Sequence, residues 1–199
     1  TIDKKTLLPV EVLLTNDKNK DFTKTTFSDM TESPASPSAL SWYYSTYSGE
    51  YKPEKPAEHK LIKAGQTPPD FKLNRFDSAA QTSLEQYKGK VVLVEFWIAH
   101  CGFCIAAVPK LNGIAEAFRA KGLEVISINI HDPAATIGLF KRNNKPEFTI
   151  LTEGAPTATE YGVNAYPGIV LIGKDGKVAY SSLGLFEKEL EAAITANLQ

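Results

Sequence analysis

The chain has 199 residues and a net charge of −1, so it is long enough for one well-packed domain with a smaller appendage. It carries no block of like charges and no run of about 18 apolar residues, which argues against nucleic-acid binding and a membrane span. Its only cysteines are Cys101 and Cys104, whereas secreted scaffolds held by disulfides carry several along their length. The pair is therefore a candidate for function, and not a structural framework.

The first 64 residues are predicted to form a small β-rich segment and a linker. Short strands are predicted at 7–14 and 22–27, and two strands alone are too few to be stable. The stretch 28–69 is rich in Pro and Ser and cannot hold a regular helix or a central strand. We expect residues 1–64 to be the tail of an upstream domain with its linker, and residues 65–199 to be the working domain.

From residue 69 onward strand and helix signals alternate, which predicts an α/β domain whose sheet has helices on its faces. The run 91–97 is apolar except for Glu95, as expected of a strand buried on both faces. A helix follows from about Cys101 toward Ala120, and Pro109 inside it is expected to kink it. The remaining predicted elements are a strand at 123–130, a helix at 134–142, a strand at 148–151, a hairpin of strands at 169–172 and 178–181, and a helix at 187–198.

The sequence Cys101-Gly102-Phe103-Cys104 stands where the buried strand gives way to the helix. The first sulfur then lies at the positive end of the helix dipole, near unpaired backbone N–H groups that stabilise a thiolate. A spacing of three on one helix brings the two side chains together, so Cys104 can attack a mixed disulfide on Cys101. This pattern predicts a redox-active dithiol with Cys101 as nucleophile and Cys104 as resolving thiol.

Two other interpretations of the cysteine pair stay open. A zinc site would need a second pair of ligands, and His59, His100 and His131 are scattered instead of paired, so we expect no metal. An inert local disulfide, or two buried thiols, is disfavoured by the position between a strand and a helix.

The segment 95–104, Glu-Phe-Trp-Ile-Ala-His-Cys-Gly-Phe-Cys, followed by Pro109, resembles the active-site segment of the thioredoxin superfamily. Upstream, 68–71 (Pro-Pro-Asp-Phe) and 87–93 (Tyr-Lys-Gly-Lys-Val-Val-Leu) resemble the lead-in of its TlpA/ResA-like branch, which is related to AhpC/TSA proteins. The resemblance covers about residues 65–198. It implies a thioredoxin-like fold with a central mixed sheet, thiol–disulfide oxidoreductase activity and no cofactor.

By this resemblance, Glu95 falls on the position of thioredoxin's buried acid and is a candidate proton acceptor for Cys104. A carboxyl within an apolar strand has its charged form disfavoured, so its pKa is expected to rise toward neutrality, which suits that role. The alternative is that Glu95 reaches the surface at the end of the strand or pairs with Lys90.

The resemblance also supplies candidate substrate contacts. Tyr166-Pro167-Gly168 resembles the cis-proline loop that lies beside the dithiol, and cis X-Pro bonds in turns are usually deliberate. His100 stands in the place of a Trp, and it would either lower the pKa of the Cys101 thiol when protonated or be a solvated surface residue. The expected substrate-binding residues are Tyr166, Pro167, Phe103, His100 and Trp97.

Three departures from the family pattern leave the redox potential and the partner open. Phe103 replaces thioredoxin's usual Pro, His100 replaces its Trp, and Ala107 stands where the ResA-like branch often has Glu. An apolar aromatic side chain next to the sulfur suits hydrophobic or unfolded protein segments.

The partners that the resemblance implies are protein thiols and disulfides, together with an upstream redox partner that is membrane-linked or soluble. The implied location is the periplasm or another extracytoplasmic part of the bacterial cell envelope. The chain begins with Thr1 and has no signal-peptide core, so we expect a fragment or a processed form, with any membrane anchor in sequence ahead of it.

Two rival functions stand beside dithiol exchange. A peroxiredoxin-like peroxidase shares the fold, but its peroxidatic Cys normally has Thr or Ser three residues earlier, and Ile98 stands there. A binding module that has lost exchange could still use the surface around Tyr166 and Phe103.

Overall fold

The computed structural model describes residues 2, 10–15, 22–27 and 60–199. The chain forms two compact units, Thr1–Pro56 and Ala57–Gln199.

In the first unit, strands β1 (Glu11–Thr15) and β2 (Phe22–Thr26) pair as an antiparallel hairpin. Their register places Leu13 opposite Lys24. Both N-terminal strands predicted from the sequence are therefore confirmed where the chain is described. Residues 16–21, which connect the two strands, and residues 28–59 of the expected linker lie outside the described residues.

The second unit alternates strands and helices as the sequence predicts. In chain order its elements are β3 (Lys72–Asn74), β4 (Gln81–Ser83), a 3₁₀ turn (Leu84–Tyr87), β5 (Val91–Trp97), α1 (Gly102–Arg119), β6 (Leu123–Asn129), α2 (Ala134–Asn144), β7 (Thr149–Leu151), α3 (Ala155–Glu160), β8 (Gly168–Ile172), β9 (Val178–Leu183) and α4 (Glu187–Leu198). Every element predicted from residue 91 onward is present, and α1 continues through Pro109 as a single helix. Sequence reasoning missed β3, β4, the 3₁₀ turn and α3.

A five-stranded mixed sheet forms the centre of this unit, in the order β7-β6-β5-β8-β9. Strands β5, β6 and β7 are parallel, whereas β8 is antiparallel to both β5 and β9. All seven residues of β5 are buried, which confirms the prediction of a central strand. The fold is the expected α/β arrangement of a mixed sheet with helices on its faces.

Side-chain alternation along β5 sends its residues into different parts of the core. Leu93 packs in one cluster with Leu111 of α1 and Leu190 of α4. Phe96 belongs to a second cluster on the other side of the sheet, where it contacts Tyr161 at the end of α3. Because both faces of β5 are packed, the strand cannot shift within the sheet. This fixes the point at which the chain leaves the sheet after Trp97.

The topology brings two loops together at the carboxyl end of β5. Because β8 is antiparallel to β5, its first residue Gly168 pairs with Phe96 near the end of β5. The loop before Gly168 is therefore carried to the point where α1 begins at Gly102. The cysteines and the Tyr166–Pro167 dipeptide meet there for this reason.

The segment before β3 covers one edge of the sheet. Gly65 N donates to Val178 O at 2.8 Å, and Val178 N donates to Gln66 O at 2.9 Å. Ile62 is buried, and its N–H donates to Tyr161 O at 2.9 Å. Among the residues that the structure describes, no helix combines the length and apolarity needed to cross a bilayer.

Candidate active site

The two cysteines sit at the first turn of α1 and are joined as a disulfide, with their Cα atoms 5.2 Å apart. Cys101 has extended backbone dihedrals and caps the helix, and its Sγ accepts a hydrogen bond from Cys104 N at 3.1 Å. Cys104 is completely buried, whereas Cys101 is partly exposed. A thiol or disulfide of another protein can therefore reach Cys101 and not Cys104.

The loop between α3 and β8 lies against the exposed sulfur. The Tyr166–Pro167 peptide bond is cis, and Cys101 Sγ lies 3.6 Å from the Tyr166 carbonyl oxygen. Gly184 N donates to Pro167 O at 2.7 Å, which ties this loop to the end of β9. Tyr166 is half-buried and Pro167 is buried.

Glu95 is buried in the middle of the sheet, with 2% of its surface exposed. Ser127 Oγ donates to Glu95 Oε2 at 2.9 Å from the neighbouring strand β6. Burial raises the pKa of Glu95 to about 7, and the hydrogen bond from Ser127 opposes part of that rise. The alternative of a surface carboxylate paired with Lys90 is wrong, because Lys90 Nζ bonds Glu124 Oε1 at 2.7 Å instead.

Trp97 has to be moved from the expected substrate contacts to the interior. Only 1% of its surface is exposed, and its ring lies 4.1 Å from the ring of Phe140, measured between centroids. It belongs to the core cluster that contains Cys104. Trp97 therefore packs in the core beside the buried cysteine and cannot contact a docked protein.

Two polar residues that sequence reasoning missed hold the loop before Cys101. Ala99 N donates to Asp132 Oδ2 at 2.7 Å, and Asn129 Nδ2 donates to the same oxygen at 2.8 Å. Asp132 N in turn donates to Asn129 Oδ1 at 2.8 Å. The available signal was Asn129 itself, a fully buried amide that ends the apolar strand β6.

An apolar groove of about 380 Å³ borders the dithiol. It is lined by Phe103, Ala106, Ala107, Lys110, Ala165, Tyr166, Pro167, Leu183, Gly184, Leu185 and Phe186. Phe103 is 81% exposed and Phe186 is 53% exposed, so each presents an aromatic ring to solvent. His100 is also exposed, but it does not line the groove.

The described part of the chain contains no group of three or more His, Cys, Asp or Glu side chains arranged to hold a metal ion.

Comparison with known proteins places this site in a family context. The model of the AhpC/TSA family matches residues 64–181. The thiol-disulfide oxidoreductase ResA of Geobacillus thermodenitrificans is 29% identical over 133 residues, which are 66% of this chain and 76% of that protein. ResA of Bacillus cereus is 26% identical over 147 residues, covering 73% of this chain and 82% of that protein.

Among solved structures, one from Chlorobium tepidum, assigned as the thiol:disulfide interchange protein DsbE, superposes with a TM-score of 0.65. It is 29% identical, and the match covers 69% of this chain and 99% of that one. The superposition supports the same mixed-sheet fold for the second unit.

Proposed function

The chain belongs to the AhpC/TSA family, and we propose that it is a thiol–disulfide oxidoreductase whose reactive group is the Cys101–Cys104 pair. The observation that carries this function is the disulfide at the first turn of α1, with one sulfur accessible and the other buried. The ResA relatives bear the name of this activity. Cys101 is accessible and lies beside an apolar groove, so the disulfide of another protein can reach it.

In the reducing direction, the Cys101 thiolate attacks one sulfur of a substrate disulfide. A mixed disulfide forms and the first substrate thiolate leaves. Cys104 then loses its proton and attacks the Cys101 sulfur, which closes the Cys101–Cys104 disulfide and releases the second substrate thiolate. Two electrons pass to the substrate, and the same steps in reverse oxidise a dithiol.

The start of α1 prepares Cys101 for the first step. The N–H of Cys104 points at Cys101 Sγ in the oxidised protein, and in the reduced protein the same donor and the helix dipole stabilise negative charge on that sulfur. We assign Cys101 as the nucleophile and Cys104 as the resolving thiol on these grounds.

Glu95 is our candidate for the group that takes the Cys104 proton. A carboxyl with a pKa of about 7 exists in both protonation states near neutral pH, so it can accept the proton and return it. It lies on β5, six residues before Cys101, and is buried within the sheet.

We propose that the substrate is a protein segment that carries the disulfide and lies along the groove. Phe103, Tyr166 and Pro167 line this groove, and the two aromatic rings offer apolar surface to such a segment. His100 contacts the same partner from outside the groove. A second, upstream redox partner resets the dithiol after each turnover.

We further propose that the protein works outside the cytoplasm, in the periplasm or elsewhere in the bacterial cell envelope. Its likeness to the ResA relatives supports this location. Fractionation of the source cells, with detection of this chain in the envelope fraction, tests it, and recovery only with cytosolic markers would contradict it.

Insulin reduction by the chemically reduced protein tests the proposed activity. We expect catalytic reduction by the wild type, none by Cys101→Ser, and a several-fold higher KM for Phe103→Ala with insulin but not with a small aromatic disulfide. Rapid peroxide consumption without insulin reduction would indicate a peroxidase instead. Full biological activity of Cys101→Ser would indicate a binding module.

A further inference from the structure

A buried hydrogen bond links Glu95 to a residue that the proposed mechanism has not used. Ser127 lies directly opposite Glu95 in the parallel pairing of β5 and β6. The two side chains are 2% and 1% exposed, and Ser127 Oγ donates to Glu95 Oε2 at 2.9 Å. Among the described residues, this is the one side-chain hydrogen bond that the Glu95 carboxyl makes.

The described elements that pack against this pair bring mostly apolar side chains to it. Along their own strands the neighbours on the same side are Leu93, Trp97, Val125 and the uncharged amide Asn129, and on β8 Ile169 lies opposite Glu95. The inward faces of α1 and α4 bring apolar side chains, together with Cys104, which is the titratable group on α1 when the disulfide is reduced. In the oxidised protein, burial raises the pKa of Glu95 and the hydrogen bond from Ser127 lowers it.

We propose that Ser127 is a positioning residue that holds the Glu95 carboxyl through its hydroxyl and sets the pH range over which Glu95 exchanges a proton with Cys104. This inference rests on the proposed function of Glu95. The hydroxyl suits both states of the carboxyl, because it donates to the carboxylate and accepts from the protonated acid. Ser127 therefore keeps a partner at each stage of the proton transfer.

The hydrogen bond from Ser127 favours the ionised carboxyl and so lowers the pKa of Glu95. In the ionised state Ser127 donates to a charged acceptor, which is the stronger of the two bonds. Removing the hydroxyl disfavours the carboxylate, because among the described groups only this bond opposes the effect of burial on the pKa of Glu95. The pKa of Glu95 then rises, less carboxylate is present at neutral pH, and the rise of the exchange rate with pH moves to higher pH.

The test uses the full oxidised chain, in which the cysteines do not titrate, and follows the Glu95 carboxyl carbon by NMR. We expect Ser127→Ala to raise the titration midpoint by about one pH unit, as expected for loss of a hydrogen bond to a charged group. The pH profile of insulin reduction by the reduced variant should move in the same direction. An unchanged midpoint in Ser127→Ala would overturn the inference.

A matched pair of variants separates the hydroxyl from the packing. Ser127→Thr keeps a hydroxyl. Ser127→Val has nearly the same volume as Ser127→Thr but carries a methyl group in place of that hydroxyl. We expect the midpoint of Ser127→Val to lie above that of Ser127→Thr, and equal midpoints would contradict the inference. Glu95→Gln tests the proposed function separately: if it leaves the pH profile of exchange unaltered, Glu95 is not the proton acceptor, whatever Ser127 does to its titration.

Discussion

Glu95 couples the chemistry of the dithiol to the stability of the fold. The pKa of its carboxyl is about 7 in the folded protein, against an ordinary value of 4.5. Between these two values the folded protein binds a proton that the unfolded chain has released. The contribution of Glu95 to the free energy of unfolding is therefore greatest below pH 4.5, decreases as the pH rises, and reaches its lower level above about pH 7.

Replacing Glu95 with Gln should remove this dependence. For the oxidised wild type, we expect the free energy of unfolding to fall by about 3 kcal/mol more than that of Glu95→Gln between about pH 4 and pH 8. Urea unfolding of both proteins at the two pH values measures this difference. Glu95→Gln is the control, because it keeps every other titrating group of the wild type. Equal losses in both proteins would mean that Glu95 is not held as a high-pKa carboxyl.

At the scale of elements, the loop between β5 and α1 depends on a side chain from the next strand–helix connection. Ala99 is buried, and its N–H has Asp132 Oδ2 as acceptor at 2.7 Å. This bond lies two residues before Cys101, so it helps to fix where the reactive sulfur leaves the sheet. Asn129 holds Asp132 in turn through two further bonds.

Asp132→Ala should destabilise this junction. It leaves the buried Ala99 N–H without its acceptor, which costs about 1–3 kcal/mol. Asp132→Asn retains an oxygen that can accept the bond, and it should cost less than half as much. Urea unfolding of both variants measures the difference, and equal stabilities for the Ala and Asn variants would show that the loop does not depend on this acceptor.

The sequence was informative where elements are long and periodic, and where chemistry is local. The apolar run of β5 and the Cys-X-X-Cys spacing predicted the central strand, the helix and the dithiol. The three residues of β3 and of β4 are too few to show a period, and in each strand it is the central residue that is most shielded from solvent. Helix α3 begins with Ala-Pro, and a proline there is as typical of a turn as of a helix start.

Residues whose role depends on register between strands were the ones that sequence reasoning could not place. Trp97 is buried because β5 is covered on both faces up to its last residue, and how far that cover extends is set by tertiary packing. Ser127 meets Glu95 only because β5 and β6 pair in one particular register. The contact of Asp132 with Ala99 likewise arises from tertiary structure.

At the scale of the whole molecule, both edges of the mixed sheet are covered within the second unit. On β7, Phe76 N donates to Ile150 O at 2.9 Å, and Arg75 forms a bridge with Leu151. On β9, Gly65 and Gln66 bond with Val178. Such covers block pairing of exposed strand edges with other chains.

Two truncations test whether the segment before β3 is part of the fold. A chain of residues 57–199 should fold and keep insulin reduction, because it retains the buried Ile62 and both bonds to Val178. A chain of residues 67–199 exposes the edge of β9 and should unfold at lower urea and aggregate more readily. Equal stability and solubility of the two chains would show that residues 57–66 do not protect this edge.

The most direct test of the proposed chemistry is to trap its covalent intermediate. Reduced Cys104→Ser, mixed with a protein carrying a single disulfide, should accumulate a mixed disulfide that peptide mass spectrometry assigns to Cys101, because the resolving thiol is missing. Reduced Cys101→Ser should trap nothing, since its remaining thiol at Cys104 is buried. A partner attached through Cys104 in Cys101→Ser, or no adduct in Cys104→Ser, would contradict the assignment of Cys101 as the nucleophile.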